Sequence, residues 1–80
     1  MIITTKYHRR SERISATSDD GTRVYIPYRY DIPTFHNHVK AVQKLNTILQ
    51  LNVKLIAGET EHGFIFLPID KPFRAVTLEA

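Results

Sequence analysis

Residues 14–26 read ISATSDDGTRVYI, two β-prone runs either side of an acidic-glycine turn, and the parity of this stretch decides the fold. Ile14 and Ala16 point one way from the first run; Val24 and Ile26 point one way from the second. Directly opposed residues of a hairpin share a face, so these pairs must meet if both are core. A two-residue Asp20-Gly21 loop would set Thr17 against Val24 and break the match. A three-residue loop, Asp19-Asp20-Gly21, sets Ala16 against Val24 and Ile14 against Ile26. The reading is therefore a type I turn with glycine in the left-handed position and a G1 bulge. The other face of the hairpin then carries Arg13, Ser15 and Thr17 opposite Pro27, Tyr25 and Arg23, with Arg29 beyond. Pro27 has no N–H to donate, which places its strand at an edge or near an irregularity.

Upstream, IITTKY (residues 2–7) is rich in β-branched and aromatic residues and predicts a first strand. Downstream, residues 31–52, DIPTFHNHVKAVQKLNTILQLN, carry His38, Ala41, Val42, Leu45, Ile48 and Leu49 at helical spacing. Lys40, Gln43, Lys44 and Thr47 lie off that stripe. Asp31 or Thr34 is expected to cap this helix, with Pro33 near its first turn and Asn52 at its stop. VKLIAG (53–58) and FIFLPI (64–69) flank ETEHG and predict a second hairpin. Their apolar residues do not alternate, so at least one of these strands should be central, or should face a partner.

The order β-β-β-α-β-β predicts an α+β fold of two layers: an antiparallel sheet of four to five strands with one amphipathic helix on one face. Residues 1–70 form a single domain. Residues 71–80, with Phe73, Val76 and Leu78, form a C-terminal tail that reads as a short closing strand, a docking arm or a partly disordered segment.

Eighty residues with 42% hydrophobic content suit a globular chain, and a chain of this size buries only roughly 60–65% of its unfolded surface. Cysteine is absent, so no disulfide or thiolate metal site can staple the fold. The core must hold unaided, or share apolar surface with a second copy or a partner. No apolar run approaches the length that spans a bilayer, which predicts no membrane association. The N-terminus lacks a positive region ahead of an apolar stretch, so a cytoplasmic home in a bacterial cell is expected rather than export.

Net charge is +3, and its placement is informative. Residues 1–30 hold six Lys and Arg against three Asp and Glu; residues 31–80 hold five against five. The whole excess lies in the first part of the chain, much of it in KYHRRSER (6–13), which points to an anionic partner.

Catalytic patterns are thin. The triplet HNH at 36–38 differs from the HNH nucleases, whose named residues are spread over a ββα-metal unit. Residues two apart on a helix do not face each other, so His36 and His38 are not expected to share a metal ion. His38 lies on the apolar stripe, where a ring hydrogen-bonded to a backbone carbonyl is expected. Ser11, Ser15 and Ser18 lack nucleophile-elbow glycines. Asp19 and Asp20 are explained by turn chemistry, and Glu59 and Glu61 by a solvated loop. No glycine motif cradles a phosphate. The expectation is a protein that is not an enzyme, with no cofactor and no metal.

The hairpin face remains. Arginine offers a fork for phosphate, and tyrosine a ring on which a base or guanidinium stacks. Arg10, Arg13, Arg23 and Arg29 on phosphate, with Tyr25 as the stacking surface, predict a nucleic-acid-binding patch. An acidic protein surface would fit the same charges, and so would a face that is merely solvated and blunts an edge strand. Tyr28, Tyr30, Ile32, Phe35, Ile65 and Leu67 exceed what one short helix can cover. An apolar interface with a host protein, or a homodimer, is the second reading.

TTKY, SERISA, DDGTRV, the NH that opens the helix, and AGETEHGFIF together resemble small uncharacterised proteins encoded by bacteriophages, plasmids and other bacterial mobile elements. The resemblance spans roughly residues 4–67 and departs at HRRSER, where a glycine-serine-arginine step is expected, and in the added tail. It implies an accessory protein acting inside a bacterial cell, against host or rival machinery. Two roles are consistent with it: nucleic-acid binding through the basic hairpin, or inhibition of a host complex.

Overall fold

A computed structural model describes residues 1–69. In chain order the elements are β1 (Ile3–His8), β2 (Arg13–Ser18), β3 (Arg23–Pro27), α1 (Thr34–Leu49), β4 (Lys54–Glu59) and β5 (Gly63–Ile69). They form one antiparallel sheet in the order β3-β2-β1-β5-β4, with the helix packed on one face. The expected fold class is therefore the observed one. The C-terminal tail, 71–80, lies outside the described residues. Among the described residues no helix is long and apolar enough to cross a membrane.

The first hairpin has the register that parity requires: Ile14 opposes Ile26 and Ala16 opposes Val24. Its loop is Asp19-Asp20-Gly21. The Gly21 N–H donates to the Ser18 carbonyl at 3.0 Å, and the Ser18 N–H to the Thr22 carbonyl at 2.9 Å. Gly21 has φ +93°, a backbone state that costs an L-residue about 1–2 kcal/mol. The Asp20 carboxylate closes the turn, accepting from the Ser18 hydroxyl and from the Thr22 N–H. Those bonds hold its pKa below the usual 3.8. Pro27 ends β3, which is an edge strand.

Alternation sends Ile3, Thr5, Ile14, Ala16, Val24 and Phe66 toward the helix, where Ala41, Val42 and Leu45 meet them. The helix lies mainly over β2, β3 and β1. Over β4 and β5 it leaves a groove of about 350 Å³, walled by Phe35, Val39, Leu55 and Phe66 among others. β5 sits between β1 and β4, so the non-alternating second hairpin does supply a central strand. Ile48 is 58% exposed although the stripe placed it in the core. It shares the angular position of Ala41, so its exposure reflects its place in the last turn and not a break in the pattern.

Both helix ends differ from expectation. Pro33 is the N-cap residue, with no side-chain capping bond. Asp31 is taken by Arg29, and the Thr34 hydroxyl shares a 3.1 Å hydrogen bond with Tyr28 Oη. The helix stops at Gln50, in the left-handed conformation, two residues before Asn52. There Asn46 clamps the exit: its Oδ1 accepts the Leu51 N–H at 2.7 Å, and its Nδ2 donates to the Leu51 carbonyl at 3.2 Å. Asn37 does the same at the entry, receiving the Arg29 N–H at 2.8 Å and donating to the Arg29 carbonyl at 2.8 Å. It is fully buried, because it replaces backbone bonds that the loop cannot supply.

His38 is buried, but its partner is not a backbone carbonyl. Nδ1 lies 2.7 Å from the Thr5 hydroxyl, a side chain on β1 directly beneath the helix. The Phe64 ring meets the imidazole edge-on. The physical cause is simple. A buried imidazole needs a hydrogen-bond partner, and the Thr5 hydroxyl is the one within reach beneath it.

Candidate nucleic-acid interface

The helix covers one face of the sheet; no element among the described residues covers the other. Register alone decides what that open face displays. β3 contributes Arg23, Tyr25 and Pro27, and β2 contributes Arg13, Ser15 and Thr17. β1 contributes Thr4, Lys6 and His8, since Lys6 opposes Ser15 and His8 opposes Arg13. Across β5 and β4 the same face turns apolar, with Ile65 and Leu67 opposite Gly58 and Ile56.

Arg13 and Arg23 share a side, as parity requires, and both engage Tyr25. The Arg13 guanidinium carbon lies 4.5 Å above the centre of the Tyr25 ring, a cation–π arrangement. Arg23 donates through Nε to Thr17 Oγ1 at 2.9 Å and through Nη1 to Tyr25 Oη at 3.4 Å. The tyrosine thus supplies one surface and one polar atom, and each orients a different arginine. Because Arg13 occupies a face of the ring, the guanidinium and not the tyrosine is the stacking surface presented there.

His8 also lies beside Tyr25, ring centres 5.6 Å apart. Its Nε2 shares a 2.7 Å hydrogen bond with the hydroxyl of Ser15, itself buried on the sheet. Burial, and then the charges of Lys6, Arg13 and Arg23, hold the His8 pKa below 6.5. Several like charges crowded on one surface are costly unless an anion answers them.

The remaining expected residues sit elsewhere. Arg29 lies beyond β3, and its guanidinium is committed to Asp31: Nη2 to Oδ2 is 2.6 Å and Nε to Oδ1 is 3.1 Å. That pairing raises the arginine pKa and lowers that of the aspartate. Arg10 is exposed in the turn joining β1 to β2. Among the described residues, the contacts between basic side chains and carboxylates are Arg29–Asp31 and His62–Glu61, so Lys6, Arg10, Arg13 and Arg23 have no carboxylate partner there.

Lys6 and His8 join the face, although parity within the first hairpin does not reach them. The alternation of TTKYH was a usable signal, but it carries no information until β1 is known to pair with β2. His36 is exposed while His38 is buried. No group of three or more His, Cys, Asp or Glu suited to hold a metal occurs among the described residues. No family model matches the chain, no curated protein matches it and no solved structure matches it.

Proposed function

We propose that this is a non-enzymatic nucleic-acid-binding protein that lays the phosphate backbone of a strand across the open face of β1, β2 and β3. The observation carrying the reading is Tyr25, which has Arg13 over its ring and Arg23 at its hydroxyl. Two guanidinium groups with no carboxylate partner among the described residues are thereby fixed on one exposed plane. Arg10 extends the cationic surface at the β1–β2 turn. A base stacks on the Arg13 plane while phosphates take the outward N–H groups. The resemblance to mobile-element proteins gives this activity a setting, an accessory role inside a bacterial cell.

The test is binding of labelled oligonucleotides as salt is varied. Neutralising three phosphates predicts about a 40-fold loss of affinity between roughly 50 and 200 mM salt. Arg13→Glu with Arg23→Glu should abolish binding; retained binding by the folded double variant would refute the reading.

A second reading, inhibition of a host protein, is favoured by exposed Ile2, Ile56 and Leu67 and by the apolar groove beside α1. Apolar contact would give a shallow salt slope, so the same titration separates the two.

A further inference from the structure

We infer that a recess on the open face, between Lys6, His8, Arg23 and His62, is a seat for a phosphomonoester: the doubly charged phosphate at a strand end or on a nucleotide. The strand-end form rests on the nucleic-acid reading; the seat itself does not.

The recess has a volume of about 350 Å³. Thr4, Thr5, Ser15, Thr17 and Thr60 also line it, and no Asp or Glu does. Every ionisable group there is a cation or can become one, and the neutral groups are hydroxyl donors. A phosphate monoester is acceptor-only at its three terminal oxygens and carries about −1.5 to −2 charges at neutral pH. Lys6 and Arg23 supply two permanent positive charges. A phosphodiester brings one negative charge to these cations; a monoester brings about two and is held more strongly.

His8 makes the balance adjustable. The groups around it are Lys6 from its own strand, Arg13 and Ser15 from β2, Arg23 and Tyr25 from β3, and His62 and Thr60 from the turn between β4 and β5. Glu61, 3.9 Å from His62 Nε2, lines a different recess, beside Tyr28 and Tyr30. With the seat empty, burial and the surrounding cations disfavour the imidazolium. A dianion reverses the electrostatic part of that effect, so His8 takes up a proton as phosphate enters and becomes a third charged donor.

The experiment follows the histidine resonances of the full chain by NMR while inorganic phosphate is added. His8 should shift and its pKa should rise. Anisotropy then compares one oligonucleotide with a 5′-phosphate or a 5′-hydroxyl; the phosphate should bind about ten-fold tighter, as charge-assisted hydrogen bonds imply. Lys6→Gln should bring the two to equal affinity, and because the readout is a ratio on one folded protein, a general weakening cannot imitate it. Adenosine monophosphate that shifts His8 as strongly as the strand identifies a free nucleotide as occupant; a stronger response to the strand identifies its end. Phosphate that moves His8 while neither oligonucleotide binds keeps the seat and removes the nucleic-acid reading. Equal affinities with no response of His8 to phosphate overturn the seat and leave the reading of the face standing.

Discussion

Nδ1 of His38 and Oγ1 of Thr5, 33 positions apart in sequence, are hydrogen-bonded at 2.7 Å between the helix and the central strand. Burial lowers the His38 pKa from 6.5, so the unfolded chain binds a proton more readily than the folded one. Stability contributed by the neutral ring is complete above pH 6.5 and is lost as pH falls through the lower, folded value. Urea midpoints measured at about pH 7.5 and pH 5 should therefore drop on acidification. His38→Gln retains a polar partner for Thr5 but does not titrate, and should narrow that drop.

Asn37 should be among the most sensitive polar positions. Its amide holds both backbone groups of Arg29 and reaches the Pro33 carbonyl at 3.3 Å. Asn37→Ala leaves those groups without their partner in a site closed to water. A loss of about 2–4 kcal/mol is expected in chemical denaturation; a loss below about 0.5 kcal/mol would show that the loop finds other partners.

The glycines at 21 and 63 should respond differently to alanine. Gly21 has open space around it, so Gly21→Ala meets only its backbone conformation and should cost about 1 kcal/mol. A β-carbon at Gly63 would overlap the carbonyl of Thr5 and crowd Lys6, backbone that cannot yield without parting β1 from β5. Gly63→Ala should cost about 3 kcal/mol or more and should disturb the Lys6 recess as well, read by denaturation and by histidine chemical shifts.

For the interface, Arg13→Gln should weaken oligonucleotide binding more than Arg29→Gln, because the latter guanidinium already has Asp31. Anisotropy titrations at one fixed salt concentration check this, and equal losses would place the strand over the β3–α1 loop instead. Tyr25→Leu should behave like Arg13→Gln, since it removes the ring on which the guanidinium lies.

The first hairpin was legible because two constraints acted on few residues: the turn needed glycine at one place, and Ile14, Ala16, Val24 and Ile26 had to agree in parity. Those constraints also put Arg13, Arg23 and Tyr25 on a common face. Arg29 escaped the same logic because strand alternation ceases at Pro27. The loop beyond that proline is governed by Asn37, a residue whose burial no hydrophobic pattern signals. The helix ends depart from capping propensity for a related reason. Capping propensity ranks Asp31 and Thr34 highly, but Arg29 and Tyr28 compete for those side chains, and such competitors emerge only when the loop is folded. The two hairpins were legible but the full strand order was not, since local patterning says nothing of which strand lies beside β1.

Ile3 faces Ser18 on one side and Phe66 on the other, so the strand made first has one neighbour that emerges within moments and another that comes almost last. During synthesis β1, β2 and β3 can zip together early, yet the far flank of β1 stays a bare row of amides until residues 63–66 leave the ribosome. A nascent chain halted before Gly63 holds half a sheet with an adhesive border. Arrival of β5 is therefore also the step that covers this border of β1.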